Sequence, residues 1–256
     1  MKISKLSLSK SSIFTLSTEY NNAFTQLNAS GSALTKVSVT IDGLNPGTEY
    51  MYKVIYKTEQ SEVHYFKTGD MYFSFIWTSD FHNYKNNTRV QRCTESIEEC
   101  LKMNNGADFV LTTGDTIAWG GSYNFWQTMY ENHNFFDYMW AGVNGNHDNY
   151  DKTLTKNSNR FFASMHAMPL NGYSGEEGVC YYFIYSDTLF IVIDNEYLNK
   201  DNYPFVEEWA QNIIDNNKTK YIIFVEHYQW FNLLHGGQFQ YDRCPSICLV
   251  FHSHRF

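Results

Sequence analysis

The chain has 256 residues, of which 43% are hydrophobic and 18% aromatic, and its formal net charge is −8. This composition lies far from the low-hydrophobicity, high-charge range of unfolded chains, so disorder as the main state is excluded. The acidic charge offers no long-range attraction to nucleic acid phosphates or anionic lipids, and we expect neither as a partner. A small anion bridged by metal ions is compatible with it.

Apolar runs in the chain are no longer than a strand, whereas a membrane-spanning helix needs about 20 apolar residues. The sequence therefore predicts a soluble chain. The first residues interrupt their apolar positions with serine and lysine, and this pattern does not match a secretory signal.

The residues before Met71 are predicted to form strands and turns. Alternating apolar positions and β-branched or aromatic residues predict strands over residues 12–17, 35–41, 49–57 and 62–67. Pro46 and Gly47 predict a turn that leads to Tyr50 in the third of these strands. This turn resembles the corner of fibronectin type III domains, where a tyrosine hydroxyl binds the backbone. Because a complete sandwich has about seven strands, we predict a partial fibronectin type III-like β-sandwich over residues 1–69.

From Met71 onward, predicted strands alternate with predicted helices. The strands cover residues 71–79, 108–113, 140–143, 181–185, 189–194, 221–225 and 247–251. The helices cover residues 88–104, 122–138 and 203–215. This alternation indicates an α/β domain, in which functional sites form at the carboxyl ends of the strands.

Metal-ligand residue types stand directly after five of these strands. In chain order they are Asp80 and His82, then Asp115, then Asn146, His147 and Asp148, then Glu226 and His227, then His252 and His254. Each alone is more often a turn former or a hydrogen-bonded polar residue. Together they indicate a metal site, because five strand ends of one sheet would meet on one rim. Two ions about 4 Å apart need a bridging carboxylate and further oxygen and imidazole ligands, which this set supplies.

In this order, the motifs D-x-H, G-D, G-N-H-D, a strand followed by His, and H-x-H resemble the calcineurin-like metallophosphoesterase superfamily. With the fibronectin-like segment in front, residues 36–256 resemble its purple acid phosphatase branch. The resemblance implies a mixed α+β/α/β fold in which a four-layer α/β/β/α sandwich covers residues 70–256. The chain ends two residues beyond His254, so we expect this sandwich to be incomplete at its C-terminal end.

The resemblance also implies two divalent ions, drawn from Mn, Fe, Zn and Mg, and a role for each site residue. The seven ligands would be Asp80, His82 and His254 for one ion, Asn146, His227 and His252 for the other, and Asp115 as the bridge. His147 would be the general acid that faces the leaving group. Asp148 would orient its ring and raise its basicity.

The implied activity is acid-phosphatase-type hydrolysis of phosphomonoesters, by a water activated at the dinuclear centre. Its partner would be a small phosphate ester, and the family resemblance suggests export from the cytoplasm. A phosphodiesterase acting on nucleotides or lipid headgroups is one alternative, because the same metal core serves both reactions. A catalytically impaired binding protein is the other, and the oligomeric state is left open.

Three positions depart from the family pattern. The purple enzymes bind ferric iron with a tyrosine three residues after the bridging aspartate, where this chain has Ala118. They also lack His82, which the wider superfamily supplies, so we expect a non-purple enzyme. In the last motif Phe251 stands in place of a glycine, and this bulky residue predicts weakened metal binding by His252 and His254.

Overall fold

The computed structural model describes residues 5–6, 19–21, 36–38, 41–52, 54–56, 58–84, 87–103, 106–132, 138–150, 160–196, 198 and 201–228. The predicted strands over residues 12–17 and 247–251 lie outside these described residues, as do Phe251, His252 and His254. Among the helices in the described ranges, none has both the length and the hydropathy to cross a membrane.

Short antiparallel strands form the described part of the first 69 residues. They are β1 (Lys5–Leu6), β2 (Glu19–Asn21), β3 (Lys36–Ser38), β4 (Glu49–Tyr52), β5 (Val54–Tyr56), β6 (Glu59–Gln60) and β7 (His64–Lys67). Strand β5 pairs with β1 and β6, β2 pairs with β3, and β4 pairs with β7. The single strand predicted over residues 49–57 is therefore two strands that belong to different sheets.

A buried tyrosine fixes the turn that precedes β4. The backbone N–H of Asn45 donates to the Tyr50 hydroxyl at 2.8 Å, and Tyr50 packs against Leu44 and Phe66. Gly47 has φ +59°, a conformation that glycine adopts without steric cost. The expected tie between a tyrosine hydroxyl and the backbone of this corner is thus present.

Two three-stranded sheets follow. The first has the order β10-β9-β8 and is parallel, with β8 (Phe75–Thr78), β9 (Phe109–Thr112) and β10 (Met139–Gly142). The second consists of β11 (Tyr181–Tyr185), β12 (Thr188–Val192) and β13 (Tyr221–Val225). Strand β12 is antiparallel to β11 and parallel to β13. The mixed α/β prediction is confirmed, but the described strand ends that were expected to share one sheet belong to two.

Five helices are present in the described part of the chain: α1 (Asn87–Met103), α2 (Tyr123–Asn132), α3 (Asn146–Asn149), α4 (Arg160–Met165) and α5 (Tyr203–Asn216). The helix predicted over residues 122–138 was too long. Tyr138 is not helical and Met139 already pairs with Phe109 in the first sheet, so tertiary pairing overrides the helical pattern there. The short helices α3 and α4 were not predicted.

Aromatic side chains fill the space between the two sheets. Phe109 of the first sheet stacks on Phe75 with ring centroids 5.1 Å apart and meets Phe190 of the second sheet edge-on at 5.7 Å. Phe190 in turn stacks on Phe183 at 4.7 Å. Full burial of such a ring, as at Phe109 and Phe190, stabilises the fold by roughly 1.5–3 kcal/mol. This packing fixes the two sheets against each other.

A helix covers the other face of each sheet. Ile97 of α1 packs against Ile76 and Val110 of the first sheet. On the second sheet, α5 packs against Leu189 and Ile191 through residues that include Val206 and Ile213.

Candidate metal centre

The loops after β8 and β9 run side by side at the carboxyl end of the first sheet. The N–H of Asp80 donates to the Gly114 carbonyl at 3.1 Å, and the N–H of His82 donates to the Asp115 carbonyl at 2.8 Å. The ladder of the two strands is thereby extended past their ends. It brings Asp80, His82 and Asp115, three of the predicted ligands, to neighbouring positions.

These three residues share an unusual backbone conformation. Their φ angles are +58° for Asp80, +45° for His82 and +51° for Asp115. The left-handed region costs a non-glycine residue roughly 1–2 kcal/mol. Such strain persists where surrounding structure enforces it, and it is concentrated at functional sites.

Asp115 lies at the middle of the cluster, with its side chain only 5% exposed. Its Oδ2 is 3.5 Å from His82 Nε2, and its Oδ1 is 3.3 Å from His227 Nε2. The backbone N–H of His147 also donates to Oδ1 at 2.9 Å. One carboxylate therefore presents its two oxygens to imidazoles on two sides, which is the arrangement a bridging ligand requires.

His227 comes from the second sheet, two residues after the end of β13. Its Nδ1 lies 2.7 Å from the Thr113 carbonyl, and its Nε2 lies 3.3 Å from Asn146 Oδ1. Since a carbonyl only accepts, Nδ1 carries the proton and Nε2 is turned toward Asp115 and Asn146. Metal-binding histidines are held in this way, with the second ring nitrogen donating to a carbonyl or carboxylate.

Two glycines permit this close approach. A Cβ on Gly114 would lie 2.5 Å from His227 Nδ1, and φ at Gly114 is +93°. A Cβ on Gly145 would collide with Asp115 Oδ1 and with the Asp115 backbone nitrogen. The glycines in the G-D and G-N-H-D motifs therefore make room for the clustered side chains.

The electrostatics of the cluster favour a cation. Burial lowers the pKa of His227, but the hydrogen bond and charge of Asp115 outweigh it and raise that pKa to about 9. Burial raises the pKa of Asp115, and the His227 contact more than reverses this, so the carboxyl pKa is lowered overall. The position between the two side chains therefore stabilises positive charge.

His147 is oriented differently from the prediction. Its Nδ1 lies 2.8 Å from the Ala118 carbonyl, and its ring packs edge-on against His82 with centroids 4.4 Å apart. Trp119 flanks the same ring at 5.3 Å. The carbonyl of Ala118, and not the carboxylate of Asp148, therefore orients His147.

Asp148 instead closes the turn that carries the motif. Its Oδ1 accepts the N–H of Ile117 and its Oδ2 accepts the N–H of Gly145, both at 2.9 Å. The side chain is buried, and burial raises its pKa to about 7. The expectation that Asp148 binds the His147 ring was wrong, because the single turn of α3 directs the carboxylate back to Gly145.

The described residues fit a divalent cation on their donor chemistry. Two groups have ligand atoms that all lie within 4.8 Å of one another: His82, Asp115 and His147, and Asp80, Asp115 and His227. Carboxylate, amide and imidazole donors suit Mn, Fe, Zn and Mg. Five predicted ligands come together here: Asp80, His82, Asp115, Asn146 and His227.

Sequence reasoning missed a set of residues that surround this cluster and bond to the segments that carry it. Asp194 and Asn195 follow β12 and bond to the segments that carry Asn146 and His227. They follow a strand in the same way as the predicted ligands do. A strand-end rule, by which polar residues directly after a strand are candidates for the site, would therefore have found them. The carbonyls of Thr113 and Ala118, which orient two histidines, have no signal in the sequence.

Comparisons with known proteins agree with this geometry. The family model of calcineurin-like phosphoesterases matches residues 73–255, and the chain belongs to this family. The matched residues include every His and Asp side chain of the two groups that could hold an ion.

Among solved structures, the chain is similar to a purple acid phosphatase isolated from yellow lupin (Lupinus luteus) seeds. The TM-score is 0.56 at 15% identity, over 86% of this chain and 44% of that one. A structure of PhoD gives a TM-score of 0.46 at 15% identity, over 75% of this chain and 49% of that one. The chain thus spans less than half the length of either protein, and the lupin similarity concerns the fold. The curated proteins include no match.

Proposed function

We propose that the chain hydrolyses phosphomonoesters, in the manner of an acid phosphatase, at a centre of two divalent ions. The observation that carries this proposal is the position of Asp115, whose two oxygens lie 3.5 Å from His82 Nε2 and 3.3 Å from His227 Nε2. A buried carboxylate between two imidazoles of different loops has the donors needed to bridge a metal pair.

The proposed ligands are those implied by the family pattern. They are Asp80, His82 and His254 for one ion, Asn146, His227 and His252 for the other, and Asp115 for both. When bound, the ions would supply activation of the attacking water and neutralisation of the phosphoryl oxygens.

His147 is proposed as the general acid. Because its Nδ1 proton is held by the Ala118 carbonyl at 2.8 Å, its Nε2 is the nitrogen available to hold and release a proton. As the water oxygen bonds to phosphorus and the ester P–O bond breaks, the leaving oxygen takes that proton. Trp119 beside the ring limits the orientations that the imidazole can adopt.

The ligand set favours a non-purple enzyme. Ala118 is buried at the position where the purple enzymes place a tyrosine, so no phenolate reaches the metals from there. We therefore expect the metal-loaded protein to lack the visible absorption band of an iron phenolate, and an absorption spectrum of the iron form measures this.

We also propose a layer order for residues 70–256 and a domain type for residues 1–69. The order helix, sheet, sheet, helix, with α1 and α5 outermost, would form the four-layer sandwich over residues 70–256, and the packing clusters of the two sheets support it. The Tyr50 corner supports a partial fibronectin type III-like domain over residues 1–69.

The proposal is tested with a chromogenic phosphomonoester and its matching diester. Turnover of p-nitrophenyl phosphate and bis(p-nitrophenyl) phosphate is measured under Mn²⁺, Zn²⁺, Fe²⁺ and Mg²⁺, together with bound metal per chain. Metal-dependent hydrolysis that is faster on the monoester supports the proposal, and faster diester hydrolysis supports the phosphodiesterase alternative. No turnover with fewer than one bound ion per chain would favour an impaired binding protein.

A further inference from the structure

We infer that Asn195 is a positioning residue for the metal ligand His227. This inference rests on the proposed function, since it concerns how the chain holds one of the proposed ligands. It adds a residue that is not among the seven ligands and comes from a different loop of the second sheet.

The side chain of Asn195 bonds to the residues on both sides of His227. Its Nδ2 donates to Glu226 Oε2 at 2.9 Å, and its Oδ1 accepts the N–H of Tyr228 at 2.8 Å. Strand β13 ends at Val225, so the segment with His227 is no longer held by the sheet ladder. One amide group therefore holds the Glu226 side chain and the Tyr228 main chain, on either side of His227, where the strand no longer does.

The position of Asn195 is itself fixed by hydrogen bonds of its buried neighbour. Its neighbour Asp194 is only 1% exposed. Asp194 Oδ1 accepts the N–H of Glu196 at 2.9 Å, and its Oδ2 accepts Nδ2 of the buried Asn144 at 3.1 Å. Asn144 leads into the loop that carries the G-N-H-D motif. The loop after β12 thus connects the first-sheet loop with Asn146 to the second-sheet segment with His227.

Two separate constraints then determine where His227 Nε2 lies. The Thr113 carbonyl, 2.7 Å from Nδ1, sets the rotation and tautomer of the ring. Asn195, through its bonds to the Glu226 side chain and the Tyr228 main chain, restrains the backbone from which the ring extends. Loss of a partner outside the ligand shell typically lowers metal affinity 10- to 100-fold, because the ligand is no longer held in its binding geometry.

The experiment compares two asparagines with the same type of bonding. Asn171 also donates through Nδ2 and accepts through Oδ1, with Tyr182 O at 2.9 Å and Tyr182 N at 3.0 Å, but it is exposed and does not bond to the cluster. Metal-free full-length protein is titrated with Zn²⁺ by calorimetry for the wild type, Asn195→Ala, Asn171→Ala and His227→Ala. We expect Asn195→Ala to bind one of two ions about 10- to 100-fold more weakly, while Asn171→Ala matches the wild type.

A second variant covers the case in which Asn195→Ala does not fold. Asn195→Asp keeps the shape and the bond from Tyr228 N–H, but it turns a carboxylate toward Glu226. We expect it to weaken the same ion, with a thermal unfolding midpoint that shows the protein is folded. Excess Zn²⁺ should restore phosphatase turnover in either folded variant, as a simple loss of affinity requires.

The outcomes separate this inference from the proposed function. If His227→Ala weakens an ion but Asn195→Ala and Asn195→Asp bind as the wild type does, the positioning role is wrong and the proposed centre stands. Equal weakening by Asn171→Ala would likewise overturn it, because the effect would then be general destabilisation. If the wild type binds no Zn²⁺, the proposed function itself fails.

Discussion

His227 Nε2 lies 3.3 Å from Asp115 Oδ1, although the two residues follow strands of different sheets. The contact therefore depends on the packing between the sheets and not on a single strand ladder. Because Phe109 and Phe190 fill that space, the hydrophobic core between the sheets also determines the geometry of the candidate metal centre.

Replacement of the bridge should abolish both metal binding and hydrolysis. Asp115→Ala removes the carboxylate that faces His82 and His227. The two proposed ions then have no ligand that binds both of them. We expect loss of tightly bound metal by elemental analysis, together with loss of p-nitrophenyl phosphate turnover. Asp187→Ala, at an exposed turn, is the control and should keep both. Full activity in Asp115→Ala would exclude the proposed mechanism.

Replacement of the proposed general acid should separate metal binding from catalysis. His147→Ala is expected to keep the bound ions and to lower kcat by about 10²- to 10⁴-fold, the usual contribution of general acid catalysis. Metal content and kcat are measured on the same preparation. The nitrogens of His147 and His82 lie close enough for one ion, so loss of an ion in His147→Ala would make His147 a ligand and refute the general acid role.

A methyl group at Gly114 should displace His227. The added Cβ would lie 2.5 Å from His227 Nδ1, and we expect Gly114→Ala to weaken metal binding at least about 10-fold, as loss of ligand orientation does. Gly106→Ala is the matched control, because Gly106 also has a positive φ, +97°, but has no atoms within 4 Å of an added Cβ. Both variants carry similar backbone strain. Equal metal affinity in the two would show that the His227 contact is unimportant.

Asp148 should contribute to stability through its two backbone hydrogen bonds. Asp148→Asn keeps the shape but turns an NH2 group toward one of the N–H donors of Ile117 and Gly145. A buried donor left without an acceptor costs about 1–3 kcal/mol, and we expect the free energy of unfolding to fall by that amount in chemical denaturation. The exposed Asp187→Asn serves as the control. An unchanged free energy of unfolding would contradict this role for Asp148.

The strand-end rule predicted much of the candidate site from sequence. Asp80, Asp115 and His227 each follow a strand that is rich in apolar residues, and the structure brings their side chains together. The rule did not distinguish one sheet from two, because a continuous apolar strand such as β13 has the same pattern in either arrangement. The packing of Phe109 on Phe190 decides this, and it is a contact between distant parts of the sequence.

Other features of the site depend on three-dimensional geometry that the local sequence pattern does not reveal. The family resemblance implied that Asp148 orients the ring of His147, but a single helical turn points the two side chains apart. The left-handed backbone at Asp80 and His82 was not predicted either, because this conformation is uncommon for non-glycine residues even though Asp and His adopt it more often than most. Such strain is imposed by the loops that surround the site.

The most direct measurement of the central claim is anomalous X-ray scattering from crystals grown with Zn²⁺ or Mn²⁺. We predict two peaks, both within bonding distance of the Asp115 carboxylate, with one also bonded to Asp80 and His82 and the other to Asn146 and His227. Crystals grown at a saturating concentration of Zn²⁺ or Mn²⁺ that show no anomalous peak beside Asp115 would contradict the account.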